Sequence, residues 1–172
     1  AAKVMEVCKK SGATELRVAQ SAEEKFKIWE ARRNALPALA RAKPTTVLED
    51  ATVPRSKIPA MVAAVNHIAK KYNLEIGTCG HAGDGNIHLN ILKNEDATYE
   101  DWDQRVKANQ QELYKFIYAH GGRLSGEHGI GYKRKHLMEE FTVPGELEMM
   151  KANKKALDPN DILNPRKIFD VD

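Results

Sequence analysis

Cysteine is scarce in this chain of 172 residues: only Cys8 and Cys79 occur, in no CxxC pair and no framework of spaced half-cystines. That excludes a disulfide-stapled scaffold and leaves cytoplasmic thiols as the expectation. No apolar run approaches the roughly 20 residues that a bilayer-spanning helix needs, so no membrane span is expected. No basic n-region followed by an apolar h-region opens the chain, and no initiator Met does either. It begins Ala-Ala-Lys-Val-Met with helix-like spacing already under way, and we expect a piece of a longer protein. An excess of one charge is missing too. Lys and Arg number 27 against 24 Asp and Glu, a net charge of +3. A nucleic-acid partner, which calls for a concentrated basic face, is not expected; small anionic substrates are compatible with this balance. There are no internal repeats, low-complexity tracts or flexible linkers. What remains, 42% hydrophobic and 30% charged residues, is the composition of a globular protein with one domain's worth of core.

Periodicity and turn residues divide the chain. Residues 1–10 read as the end of a helix stopped by Ser11-Gly12, and residues 15–19 as a short strand. Ser21 followed by Glu24 is a capping box. It opens an amphipathic helix carrying Phe26, Ile28, Trp29 and Leu36, interrupted or ended near Pro37. A strand over 45–53, a helix over 56–72 ended by Asn73, and strands over 74–80 and 86–93 follow. A polar helix over 99–120 stops at Gly121-Gly122. Residues 123–126 read as another strand, 133–156 as one or two helices, and 158–169 as an irregular tail. Trp29, Trp102 and Tyr114 are expected to be core or half-buried, and Lys133-Arg134-Lys135 to be a solvated helix start or turn. A hairpin over 74–93 is necessarily antiparallel, which favours an α+β fold, with helices on one face of a mostly antiparallel sheet, over a doubly wound one.

The hairpin segment His81-Ala-Gly-Asp-Gly-Asn-Ile-His88 is the most informative. Asp-Gly is a strong two-residue hairpin turn, because both central positions need positive φ. With Asp84-Gly85 as the turn, His81 and His88 become directly opposed, with Cβ atoms about 4.5–5.5 Å apart. Two imidazoles so placed can share one metal ion, whose ligand nitrogens lie about 2.0–2.1 Å away. Ile87, Leu89 and Ile91 then face the helices, while His88 and Asn90, with His81 and Cys79 across from them, face a cleft. The alternative is a pair of surface histidines flanking a loop.

A third ligand can come from Ser125-Gly-Glu-His-Gly-Ile-Gly131. Its glycines permit unusual backbone angles and close approach of a ligand. On an extended segment Glu127 and His128 point apart, so one can bind metal while the other faces a substrate. His81, His88 and Glu127 would make a three-ligand set with an open position, the mark of a catalytic metal site. Against this, Glu127 can be a helix cap and His128 an ordinary loop histidine.

These two segments, together with Asp158-Pro-Asn-Asp-Ile-Leu-Asn-Pro165, Trp29-Glu-Ala-Arg-Arg-Asn-Ala-Leu-Pro-Ala38 and Asp50-Ala-Thr-Val-Pro-Arg55, resemble in order the C-terminal domain of FAD-linked oxidases of the vanillyl-alcohol-oxidase type. Within that family they are similar to the group of glycolate oxidases and D-lactate and D-2-hydroxyglutarate dehydrogenases. The resemblance covers nearly the whole chain and implies a ferredoxin-like α+β fold for a cap, or substrate, domain over residues 1–172. It matches His81, His88 and Glu127 to metal ligands, His128 to the catalytic base, Arg32 to the arginine on the substrate carboxylate, and Asn90 and Asn164 to polar positions near substrate or flavin. On residue evidence alone, Arg32 reads instead as an exposed helix arginine beside Arg33. Two departures stand out: the family's FAD-binding domain and the early part of its cap domain are not in this chain, and Arg166 stands where many relatives have glycine.

The implied chemistry is oxidation of a 2-hydroxy acid, of glycolate or D-lactate type, to the 2-oxo acid. FAD would be held mainly by an upstream FAD-binding domain, and a divalent zinc, manganese or iron ion by this one. Other subunits or an electron acceptor are possible partners, and with them a peripheral association with a membrane. The competing classes are a metal-dependent hydrolase, with Glu127 or His128 as base, and a non-enzymatic metal- or protein-binding domain.

Overall fold

Side-chain alternation along residues 86–92 organises the sheet. In the computed structural model, which describes residues 1–171, β3 (Asn86–Leu92) is the central strand. It lies between β1 (Thr46–Thr52) and β2 (Glu75–His81), antiparallel to both. Ile87, Leu89 and Ile91 share one face with Ala51 of β1, and all four are buried. Two helices cover that face. From α3 (Ile58–Lys71) come Met61, Val65 and Ile68, at i, i+4 and i+7; from α4 (Tyr99–Ala119) come Leu113, Tyr114 and Ile117. One turn and more N-terminal on α4, Trp102 and Val106 close a second cluster with Leu74 and Ile91, and the Trp102 indole N–H donates to the Leu92 carbonyl at 3.2 Å.

Residues 133–156 resolve into two helices, α5 (Lys135–Phe141) and α6 (Pro144–Leu157), which add Leu137, Met138 and Leu147 to the larger cluster. The order β1-α3-β2-β3-α4, followed by an antiparallel bridge between Arg123 and Thr52, is that of a βαββαβ ferredoxin-like unit. The fold is α+β, as expected. The strand expected over 123–126 is reduced to that bridge. The backbone N–H groups just beyond it turn to the Asp50 carboxylate instead of to a neighbouring strand.

The chain divides into two compact units, Ala1–Ala42 and Lys43–Asp172. The first holds α1 (Ala2–Lys10) and α2 (Ala22–Ala42). One half of its capping box forms, with the Glu24 N–H donating to Ser21 Oγ at 3.1 Å, while the Glu24 carboxylate accepts from the N–H of Gln20, the residue before the cap, at 2.6 Å. Two expectations fail here. Residues 15–19 are irregular, because no second strand in the unit offers them a hydrogen-bonding ladder. The second helix continues through Pro37 to Ala42, although a proline inside a helix loses one ladder bond and crowds the carbonyl four residues before it. Nothing on α2 is buried, and Trp29 stays 47% exposed, whereas Trp102 and Tyr114 are core residues at 2% and 0%. Among the described residues no helix is long and apolar enough to cross a membrane.

Candidate metal centre

The hairpin carries the first two histidines on one face, but in a different register from the one expected. His81 pairs with Asn86 and Cys79 with His88, so His81 and His88 are diagonal neighbours. The shift is two residues, and an even shift keeps every side chain on its face. Its cause is the turn. A two-residue type I′ turn needs positive φ at both Asp84 and Gly85, yet only Gly85, at +75°, has it. The chain instead turns over residues 81–84, where the Asp84 N–H donates to the His81 carbonyl at 3.0 Å. Gly85 then packs on the end of β1: its carbonyl accepts from the Val53 N–H at 3.0 Å, and a Cβ there would lie 2.0 Å from the Val53 oxygen.

The diagonal pairing still brings the rings together, edge to face, with centroids 5.3 Å apart. Glu127 reaches both: its Oε1 lies 3.0 Å from His88 Nε2 and 3.3 Å from His81 Nε2. His128 stacks on His88 with centroids 4.8 Å apart and places its Nε2 3.6 Å from the same oxygen. The two side chains expected to point apart therefore converge, because the backbone is bent rather than extended. Gly126 lets the bend pack closely on the buried Asn86 side chain, whose Oδ1 a Cβ would approach to 2.3 Å.

The bend has a specific cause that sequence reasoning missed. Asp50, on β1 opposite His88 and wholly buried, accepts four hydrogen bonds on Oδ2: from Ser125 Oγ at 2.7 Å and from the N–H groups of Gly126, Glu127 and His128 at 3.0, 2.9 and 2.8 Å. Burial by itself raises the Asp50 carboxyl pKa. The N–H groups of Glu127 and His128, the Ser125 hydroxyl and the nearby His128 ring outweigh it and hold the group well below the usual carboxylate range. Asp50, His88, Glu127 and His128 each offer a ligand atom within 4.8 Å of the others. A signal for Asp50 exists in the sequence: aspartate is depleted in strands, and the run Val-Leu-Glu-Asp-Ala-Thr-Val carries two adjacent acids.

Arg134 corrects the expectation of a solvated Lys-Arg-Lys turn. It is 5% exposed; its guanidinium donates to the carbonyls of Asp50, at 3.3 Å, and Gly129, and lies 3.8 Å from the buried Glu49 carboxylate. It thereby ties residues 129–134 to β1 beneath the cluster. Lys133 is exposed, and Lys135 pairs with Asp170.

The donor set fits a divalent ion. Two ligands bound at about 2.0–2.2 Å in a tetrahedral site sit roughly 3.3–3.6 Å apart; the 3.3 Å contact of Glu127 with His81 matches that spacing, and the 3.0 Å contact with His88 is about 0.3 Å shorter. Within the second unit, the two other candidate residues, Asn90 and Asn164, bond elsewhere. Asn90 shares the face of His88 but is 1% exposed, and its amide donates to the Gly77 carbonyl at 3.2 Å. Asn164 is exposed in the tail at φ +52°, and its carbonyl accepts from the Lys167 N–H. Arg32 is exposed on α2, in the first unit, with its guanidinium 5.7 Å from the Trp29 ring centroid. Arg166 adopts φ +60°, a left-handed conformation in which glycine avoids strain.

An antiparallel α+β unit that gathers imidazoles and a carboxylate at one hairpin defines the class of domain. Comparison with known proteins names the family. The family of FAD-linked oxidases, C-terminal domain, matches residues 1–168, and the chain belongs to it. It is 46% identical over 170 residues to the glycolate oxidase subunit GlcD of Bacillus subtilis, an alignment covering 99% of this chain and 36% of that protein. For GlcD of Escherichia coli K12 the identity is 34%, over 96% of this chain and 33% of the relative. The D-2-hydroxyglutarate dehydrogenase of Stutzerimonas stutzeri is 31% identical, over 88% of this chain and 33% of its own length. The chain thus spans about a third of the length of the curated relatives it matches.

Proposed function

We propose that residues 1–172 are the cap, or substrate, domain of an FAD-dependent 2-hydroxy-acid dehydrogenase or oxidase, acting on a glycolate- or D-lactate-type substrate. One observation carries the reading: Glu127 Oε1 lies 3.0 and 3.3 Å from the Nε2 atoms of two histidines, with His128 stacked alongside. Family membership supports FAD as the redox cofactor, and it weighs against a metal-dependent hydrolase or a non-enzymatic binding domain. In this reading an FAD-binding domain outside these 172 residues holds the flavin, which supplies hydride acceptance. A divalent zinc, manganese or iron ion on His81, His88 and Glu127 supplies Lewis-acid polarisation of the substrate oxygens.

The residues of this chain do the rest. His128, 41% exposed beside the cluster, takes the hydroxyl proton on its ring nitrogen. Arg32 clamps the carboxylate through its guanidinium fork, and Asn90 and Asn164 are polar neighbours of substrate or flavin. A cytoplasmic location, peripheral to a membrane through partner subunits or an electron acceptor, belongs to the same proposal. Both cysteines are free thiols.

Titration of the chain with Zn²⁺ alone tests the centre. One ion per chain is expected to bind, and His81→Ala, His88→Ala and Glu127→Gln should each weaken binding by at least about 10-fold. Zn²⁺ binding that is the same in all three variants as in the parent removes the proposed site.

A further inference from the structure

The Asp50 carboxylate is divided in its contacts. Oδ2 takes all four donors of residues 125–128. Oδ1 has no hydrogen-bond partner, and neither has the buried Nδ1 of His88, yet the two face each other at 3.4 Å. Closing that gap to an ordinary N–H···O length takes only about half an ångström. On its far side the same ring aims Nε2 at Glu127 Oε1, 3.0 Å away.

We infer that Asp50 is the positioning residue of this centre, with Oδ2 shaping the backbone that carries Glu127 and His128 while Oδ1 holds His88 in the tautomer with its proton on Nδ1. This rests on the reading of His88 Nε2 as a ligand atom. An ionised carboxylate can only accept, and a neutral imidazole has one donor nitrogen and one acceptor nitrogen. A proton committed to the Asp50 side leaves the lone pair on Nε2. That lone pair then faces a carboxylate oxygen, and the arrangement calls for a cation between them. Ligating histidines are oriented by such a carboxylate on the opposite nitrogen. One side chain on β1 thus couples the hairpin histidine to the glycine-rich loop, so the ligands keep their relative positions without a fourth strand.

Nitrogen NMR of the imidazoles in the metal-free chain, at a pH where they are neutral, tests this directly. The wild-type chain should show His88 protonated on Nδ1. In Asp50→Asn the amide oxygen can still serve the loop, but the amide N–H then points at Nδ1. His88 should switch to the Nε2–H form, and affinity for Zn²⁺ alone should fall about 10–100-fold. Ser125→Ala, which removes one donor from Oδ2 and leaves Oδ1 untouched, should keep the wild-type tautomer. A wild-type His88 protonated on Nε2 overturns the assignment, and so does an Asp50→Asn chain with unchanged tautomer and unchanged Zn²⁺ affinity. Should Asp50→Asn fail to fold, the wild-type tautomer still decides. An Nδ1–H tautomer in a chain that binds no Zn²⁺ upholds the role of Asp50 on the ring while removing the metal reading.

Discussion

Glu49 and Asp50 are adjacent on β1, both wholly buried, and they face opposite sides of the sheet. Each is stabilised differently. Asp50 is held as a carboxylate by backbone and hydroxyl donors, while Glu49 accepts from Gln110 Nε2 and Tyr114 Oη, both at 2.7 Å, with Arg134 nearby. Buried acids survive only when so partnered. The partners lie 61 to 85 positions away along the chain, which is why no local pattern revealed them and why Arg134 read as solvated. Tyr114 offers a test at this scale. Burial, then the charge of Glu49, pushes its phenol well above the ordinary value of 10.0. The unfolded chain therefore releases this proton first. The stability that the group contributes is full below about pH 10 and is lost as pH rises toward the folded-state value. Urea unfolding at stepped pH should show stability falling above about pH 10 in the wild type, and a shallower fall in Tyr114→Phe. Identical alkaline slopes in the two chains would contradict this.

At the level of elements the hairpin is the instructive case. Alternation in residues 86–92 placed Ile87, Leu89 and Ile91 toward the helices and the histidines toward the other face, as the structure has them. The register did not follow, because the turn is decided by Gly85 docking against β1, a contact between strands far apart in sequence. Gly85→Ala should therefore cost at least about 2 kcal/mol, from left-handed backbone strain and the clash with Val53 together. Gly83→Ala, whose added Cβ meets nothing within 4 Å, should stay within about 0.5 kcal/mol of wild type. Chemical denaturation of both variants measures the contrast, and equal losses would contradict the docking of Gly85 against Val53. A similar logic explains the missing strand over 123–126. Its composition permits extension, but three successive N–H groups find a single carboxylate oxygen instead.

For the whole molecule, every buried residue lies in the second compact unit. Both core clusters are built from β1 onward. Deleting residues 1–42 should leave cooperative unfolding intact, with a thermal midpoint shifted by less than about 4 °C, the change that roughly 1 kcal/mol produces in a domain of this size. A fragment 43–172 that melts without cooperativity would show that its core is not self-sufficient. Apart from the apolar residues of α2, which stay exposed, local sequence carried the α+β class, the helices, the hairpin and the face on which its histidines lie. All of these follow from periodicities of 2 and 3.6 and from local turn and cap chemistry. Its motifs also singled out His81, His88, Glu127 and His128. Only the tertiary structure decided the strand register, the convergence of Glu127 with His128, the burial of Arg134 and the place of Asp50. Each of those rests on a polar group finding its partner across the sheet, and a hydrogen bond between distant residues leaves no period in the chain to read.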